Sequence, residues 1–280
     1  MSVLPGKIQK FYKMQGSGND FIVIDNRDKS ISTNLMPAWA TTLCPRAFRI
    51  GADGIIFLEL DESGRGTTAW HFFNADGSRA EMCGNGARCA TFLAVQLGMA
   101  PAEHIMVTDA GPIRACVFPE AGHVEVQLTP VQDTRFHVPL QVNDTVWSAH
   151  FANTGVPHAV LITEQLAELD IRTLGAAVRY HAYFQPAGTN VNFIQIDDRT
   201  HLRLRTYERG VENETYACGT GAAASVVVAH SLELCEPTTT VTTSGGEQLQ
   251  IRIDGPDIFL RGAAQIVYHG EFSSTALGLE

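Results

Sequence analysis

Short runs of β-branched and aromatic residues recur along the chain, separated by Gly, Asp and Asn. The pattern predicts strands at residues 21–25, 54–60, 68–73, 105–108 and 124–128. It predicts five more at 159–162, 190–196, 202–207, 248–253 and 258–261. The punctuating residues are those that hairpins require. Two segments break the strand pattern. Residues 86–98 and 221–234 read as helices with apolar residues on most faces, as in Ala222-Ala223-Ala224-Ser225-Val226-Val227-Val228-Ala229. A helix that is apolar nearly all round is buried. The expected class is therefore α+β: a curved, mostly antiparallel sheet wrapped around a central buried helix, built twice. Residues 264–268 read as one more strand, whose partner the pattern does not name.

The doubling is visible in the motifs. Cys83-Gly84-Asn85-Gly86 recurs as Cys218-Gly219-Thr220-Gly221, and each predicted helix follows one of these turns. Upstream, Phe72-Phe73-Asn74 corresponds to Thr206-Tyr207-Glu208. Gly18-Asn19-Asp20-Phe21-Ile22-Val23 corresponds to Gly155-Val156-Pro157-His158-Ala159-Val160. Three landmarks in order, at nearly one offset, mark an internal repeat. Two similar domains are expected, residues 1–129 and 130–263, with the boundary where Leu128-Thr129-Pro130 closes a strand-like run.

Composition narrows the chemistry. With 280 residues, 45 % hydrophobic and 18 % charged, the chain can bury real cores, so disorder is excluded as its main state. A net charge of −10 repels phosphate backbones and anionic lipid, which excludes nucleic acid and membrane as expected partners. All four lysines (Lys7, Lys10, Lys13, Lys29) lie near the N-terminus, leaving the body of the fold no Schiff-base lysine for pyridoxal phosphate chemistry. Met1 to Lys13 contains no signal-like apolar run, and no segment approaches a membrane span, so a soluble cytoplasmic protein is expected. The six cysteines show neither CxxC spacing nor the density of a disulfide framework, and HExxH is absent; no metal is expected.

A cysteine at a helix N-terminus combines three effects. The positive end of the macrodipole favours thiolate, the first-turn amides can hold a carboxylate, and the glycines allow close approach to the backbone. One such cysteine is commonly a small buried hydrophobe. Two in matching turns suit a two-base reaction at a carbon next to a carboxylate, in which one thiolate removes a proton and the other thiol returns one. Cys44, Cys89, Cys116 and Cys235 lack such turns and read as fillers.

These motifs resemble the diaminopimelate epimerase family. The resemblance rests on Met14-Gln15-Gly16-Ser17-Gly18-Asn19-Asp20-Phe21 and on Phe73-Asn74-Ala75-Asp76-Gly77-Ser78 continuing through Glu81-Met82-Cys83-Gly84-Asn85-Gly86-Ala87-Arg88-Cys89. It also rests on Gly188-Thr189-Asn190-Val191-Asn192-Phe193, Tyr207-Glu208-Arg209-Gly210 and Glu214-Thr215-Tyr216-Ala217-Cys218-Gly219-Thr220-Gly221. It runs from about Lys13 to about Gly270. It implies cofactor-independent stereoinversion of LL- to meso-diaminopimelate, serving lysine and peptidoglycan synthesis, in a chain that often pairs as a homodimer. It further implies that the C-terminal strand, 264–280, returns to the first domain. By this resemblance Cys83 and Cys218 are the bases, and His158 and Glu208 tune the thiols. The amides of Gly84-Asn85 and Gly219-Thr220 hold the reacting carboxylate. Asn19 lines the reacting side, while Asn74, Asn190, Arg209 and Glu208 grip the remote amino-acid end.

Residue chemistry supports several of these roles. A substrate with a second zwitterionic end needs a fixed cation, and Arg209 beside Glu208 supplies a fork and a counter-charge. His158, placed opposite Asp20 in the repeat, reads as a thiol-tuning group. Two positions depart from the family pattern: Val156 stands where many members carry Asn, and Gly54 where some place Gln. Other readings are a racemase of proline, hydroxyproline or histidine on the same scaffold, an isomerase of the phenazine-biosynthesis type, and a binding protein that clamps carboxylates. The pair Cys83 and Cys218 is also expected to be open to oxidation to a disulfide.

Overall fold

The computed structural model describes residues 6–279; residues 1–5 and residue 280, at the ends of the predicted first domain, lie outside the described residues. The chain divides into two units. One runs to Val126 and resumes at Ala263; the other is Gln127–Gly262.

In the first unit, β1 (Ile8–Gly16) and β2 (Asn19–Asp25) form a hairpin through Ser17 and Gly18, both at positive φ. A helix, α1 (Met36–Leu43), crosses to β3 (Gly54–Leu60), which pairs parallel to β2 and antiparallel to β4 (Thr68–Asn74). A second crossover, α2 (Gly84–Gln96), leads to β5 (Glu103–Thr108), parallel to β4. The antiparallel β6 (Gly111–Phe118) and β7 (His123–Gln127) follow.

The second unit repeats this plan. β8 (Thr134–Val142), β9 (Thr145–Asn153) and β10 (Pro157–Ile162) run antiparallel. α3 (Ile171–Arg179) crosses to β11 (Asn190–Asp198), parallel to β10, and β12 (His201–Glu208) returns antiparallel. The short β13 (Asn213–Thr215) folds back on β12. α4 (Gly219–Ser231) then crosses to β14 (Thr238–Thr242), parallel to β12, followed by β15 (Gln248–Asp254) and β16 (Asp257–Ala263). The final strand, β17 (Gln265–Ser273), pairs antiparallel with β1 and holds in the first unit the place that β8 holds in the second.

Successive strand side chains point to opposite faces, so each sheet buries two layers. Ile22, Ile24, Ile55, Phe57 and Phe73 pack with Trp39, Ala40 and Leu43 of α1 on one face. Ala159, Leu161, Val191, Phe193 and Tyr207 do the same with Ile171 and Val178 of α3. The other faces wrap the two buried helices: α2 touches β1, β2, β3 and β6, and α4 touches β9, β10, β11, β12 and β15. The α+β class and the sheet-around-helix plan are as the residue pattern predicts.

The helices begin two residues earlier than predicted, because each cysteine is itself the extended N-cap (Cys83 φ −148°, Cys218 φ −128°) and the glycine after it already turns. The pattern missed β1, β6, β8, β9, β13, β14, α1 and α3. β1 carries Lys10, Lys13 and two glutamines, yet Lys13 is only 7 % exposed because it is ion-paired inside the fold. In α3, Gly175 weakens the helical signal but is required: a Cβ there would lie 2.5 Å from Tyr207.

Candidate active site

In the first unit, Cys83 Sγ accepts from the Gly86 N–H at 3.4 Å, a sulfur version of an N-cap bond. The Asn19 side-chain oxygen lies 3.7 Å from the same sulfur and accepts from the thiol. Asn19 is held in that orientation because its amide nitrogen donates to Asp53 at 2.6 Å. Asp53 belongs to a tight ionic group. Arg46 bridges Asp20 and Asp53, and the Lys13 ammonium sits 2.6 Å from Asp20 while also donating to the Gly51 carbonyl. Burial alone would raise the Asp20 carboxyl, but hydrogen bonds from Arg46 and Lys13 outweigh it and hold Asp20 well below the usual carboxylate range. Gly84 and Asn85 form the buried first turn of α2, and the Asn85 side-chain oxygen has no hydrogen-bond partner among the described residues. Asn74 ends β4 and donates to the Ser78 hydroxyl at 3.0 Å, across a turn that Gly77 makes at φ +84°.

In the second unit, Cys218 Sγ lies 3.6 Å from the Thr220 hydroxyl. Gly221 is hemmed in: a Cβ would fall 2.3 Å from the Asn192 side-chain oxygen and 3.2 Å from the sulfur itself. Asn192 and His158 are fully buried and hydrogen-bonded at 3.1 Å. Burial and then the Arg209 charge push His158 down to about 3, so it is neutral at ordinary pH. The His158 side chain is therefore a neutral ring, not an imidazolium. Asn190 uses both ends of its amide: it donates to the Pro157 carbonyl at 3.2 Å and accepts from the Arg209 backbone N–H at 2.9 Å. It thus fixes the turn that carries Arg209, whose guanidinium donates to the Ala187 carbonyl at 2.9 Å. Burial raises the Glu208 carboxyl above its ordinary value, with the Thr215 hydroxyl partly opposing the rise.

Sheet register agrees with the six-residue match of the repeat and corrects the placement of His158 opposite Asp20. His158 pairs with Asn190 as Phe21 pairs with Gly54, so His158 is the counterpart of Phe21 and not of Asp20. Packing leaves no room for a side chain at Gly54. A Cβ there would lie 2.6 Å from the Phe72 ring and 2.8 Å from the Phe73 carbonyl oxygen, so no Gln fits beside that phenylalanine. Val156 lies in the turn before β10, where its carbonyl accepts from the Thr154 N–H.

The segments leading into the cysteines are built alike. Four residues before Cys83, Arg79 forms a two-pronged pair with Asp109 in the β5–β6 turn. Four residues before Cys218, Glu214 forms one with Arg205 and also accepts from Ser244 in the β14–β15 turn. Two residues before each cysteine, the carbonyls of Glu81 and Tyr216 accept from the same turns, at Ala110 and Gly245.

Sequence reasoning missed Asp53, Asn192 and Thr206. A signal existed for Asn192: Asn190 and Asn192 are two apart in a strand and must share a face. Among the described residues, no His, Cys, Asp and Glu side chains gather into a metal-binding group, and no helix is long and apolar enough to cross a membrane.

The family model for diaminopimelate epimerase matches residues 11–133 and 150–267. A diaminopimelate epimerase of Hydrogenobaculum sp. (strain Y04AAS1) is 42 % identical over 270 residues, covering 93 % of this chain and 97 % of that one. One from Aquifex aeolicus (strain VF5) is 40 % identical, covering 96 % and 99 %. Among solved structures, a Bacillus anthracis phenazine biosynthesis protein of the PhzF family superposes with a TM-score of 0.70 at 15 % identity, over 95 % of this chain and 99 % of that one. A hydroxyproline epimerase from Agrobacterium vitis gives 0.69 at 17 %, over 97 % and 94 %. Those two share the fold. The sequence matches go further, since they run through both cysteine turns and the strands that support them, and the chain belongs to the diaminopimelate epimerase family.

Proposed function

We propose that this protein is an isomerase that epimerises LL-2,6-diaminopimelate to meso-2,6-diaminopimelate, with Cys83 and Cys218 as its two bases. One thiolate takes the α-proton from one face of the carbon. The other cysteine, as thiol, delivers its proton to the opposite face of the carbanion. The net change is one inverted centre, with a thiol and a thiolate exchanged and no redox step. The observation that carries this reading is the duplication. Each unit independently places a cysteine as the N-cap of a 13-residue buried helix whose first-turn amides can hold a carboxylate.

The remaining roles are those the family resemblance implies, with the local geometry in support. Gly84, Asn85, Gly219 and Thr220 would supply amides to the reacting carboxylate, and Asn19 would line that side. Arg209, fixed by Asn190, would pair with the remote carboxylate, and Glu208 with the remote ammonium, a cation that would return the buried carboxyl toward its ordinary range. Asn74 would complete that end. We read the two units as the two domains, 1–129 with 264–280 and 130–263, and place the enzyme in the cytoplasm, supplying lysine and peptidoglycan synthesis.

A homodimer is part of this reading. The edge strand β17 exposes Ile266, Val267 and Tyr268 in succession, whereas its counterpart β8 is blunted by Arg135, Pro139 and a bulge between Arg135 and Val138. Sedimentation of the purified protein as a monomer would remove that element.

The deciding experiment is proton NMR of LL-diaminopimelate in D₂O with reduced protein. Loss of one α-proton signal with appearance of the meso isomer is expected. Exchange of proline or histidine instead would move the protein to a sister racemase. Binding with no exchange would leave only a carboxylate clamp.

A further inference from the structure

The two sheets present different chemistry to their buried helices. Beneath α2, register aligns Phe21, Ile56 and Phe72; beneath α4, the same positions are His158, Asn192 and Thr206. The second set forms a hydrogen-bond chain. Thr206 Oγ1 donates to Asn192 Oδ1 at 3.0 Å, and Asn192 Nδ2 donates to the Ala159 carbonyl at 3.0 Å and faces His158 Nδ1 at 3.1 Å. A backbone carbonyl can only accept, so it fixes which end of the Asn192 amide is nitrogen. The amide hydrogen that faces Nδ1 then requires a lone pair there, which leaves the ring proton on Nε2. Nε2 is fully buried and has no acceptor among the described residues. The network reaches the thiol's own helix, because Asn192 Oδ1 and Cys218 Sγ both border Gly221.

We propose that Asn192 and Thr206 are positioning residues of the reaction, which hold His158 as the neutral Nε2–H tautomer beneath the helix that Cys218 caps, so that it does not act there as a competing base. The inference rests on Cys218 being one of the two bases. A thiol that must shuttle a proton to carbon loses it wastefully if a neighbouring imidazole can take it. A ring whose Nδ1 lone pair is already engaged and whose Nε2 carries hydrogen cannot take it. The Arg209 charge, felt at His158, opposes protonation further. The first unit has no such ring to restrain, and its Phe21 needs no asparagine partner.

Long-range proton–nitrogen NMR of histidine-labelled protein tests the tautomer directly, with the His158 signal identified among the ten histidines by its loss in His158→Gln. The expected pattern is Nε2–H, unchanged between about pH 5 and pH 9. An Nδ1–H pattern, or a titration inside that range, overturns the proposal. Asn192→Asp, whose carboxylate accepts from Nδ1–H, should lower kcat at least about tenfold with KM within about twofold, and should add an ionisation to the acid limb of the kcat profile. Thr206→Val should act in the same direction by about threefold, with Thr206→Ser restoring activity. Wild-type kcat and pH profile in both Asn192→Asp and Thr206→Val would overturn the positioning role. If Asn192→Asp does not fold, the Thr206 pair and the NMR pattern decide. Failure of the unmodified protein to turn over diaminopimelate would count against the proposed activity, while the tautomer measurement stands or falls by itself.

Discussion

The two cysteine turns rest on unlike foundations. Under α2, Gly86 faces Ile56, Trp70 and Phe21, and a Cβ there would approach their carbons at 3.3 to 3.5 Å. Phe21, Phe72 and Trp70 stack edge to face and tilted around that point. Under α4, a Cβ on Gly221 would fall 2.3 Å from the buried Asn192 side-chain oxygen, which is tied to a histidine and a threonine. One helix N-terminus is shaped by apolar packing, which can yield by small shifts. The other is shaped by hydrogen bonds, which fail abruptly when a group is displaced. A symmetric pattern of motifs thus rests on two unlike foundations.

The sharpest way to break the comparison is at the sulfurs. Cys83→Ala and Cys218→Ala should each lower turnover by more than about a thousandfold while far-UV circular dichroism stays unchanged. Near-normal turnover of either variant, read by loss of the α-proton signal, would end the two-base mechanism. Next come the glycines. Gly221→Ala should destabilise the fold by about 2–3 kcal/mol because Asn192 must move or lose its partners. Gly86→Ala should stay within about 1 kcal/mol of wild type, since the helix-propensity gain offsets a modest squeeze. Equal urea midpoints for the two variants would contradict the contrast.

A smaller effect separates the units by pH. His158 is held neutral with its protonation pushed down to about 3, against 6.5 for an ordinary histidine. Below about pH 6.5 the unfolded chain binds the extra proton, so this stabilisation is complete above that pH and declines as pH falls toward 3. At pH 5 the loss should be about 2 kcal/mol, and His158→Phe should flatten the slope of urea stability between pH 5 and 6.5. A slope unchanged in that variant would show that other groups set it. The smallest contrast lies in the segments before the cysteines. Arg205→Ala should cost about 2 kcal/mol because Arg205 also donates to the Leu166 and Leu169 carbonyls, whereas Arg79→Ala should cost about 1 kcal/mol or less. Thermal melts of the two variants would rank them.

Much of the candidate site was readable as residue types at fixed spacing. Cys83, Cys218 and their glycines announce helix N-termini, and Arg209 beside Glu208 announces a fork and a counter-charge. The supporting residues were not readable. Asp53 and Asn19 are 34 positions apart, as are Asn192 and His158. Each pair meets only because parallel strands with a helical crossover between them align those positions. Asn190 read as a ligand group, and its amide also braces the turn around Arg209 through one bond at each end.

The amino-acid pattern by itself determined the two-fold plan, the buried helices and the cysteines that cap them, because periodicity, turn chemistry and capping act over a few neighbouring residues. The tertiary structure alone decided that β17 pairs with β1 and in what register, and that one buried helix rests on apolar side chains where the other rests on a hydrogen-bonded set. Those outcomes depend on strand register and on burial. A strand's partner and a side chain's solvent exposure are set by the whole fold, and they in turn decide whether a histidine is charged or neutral.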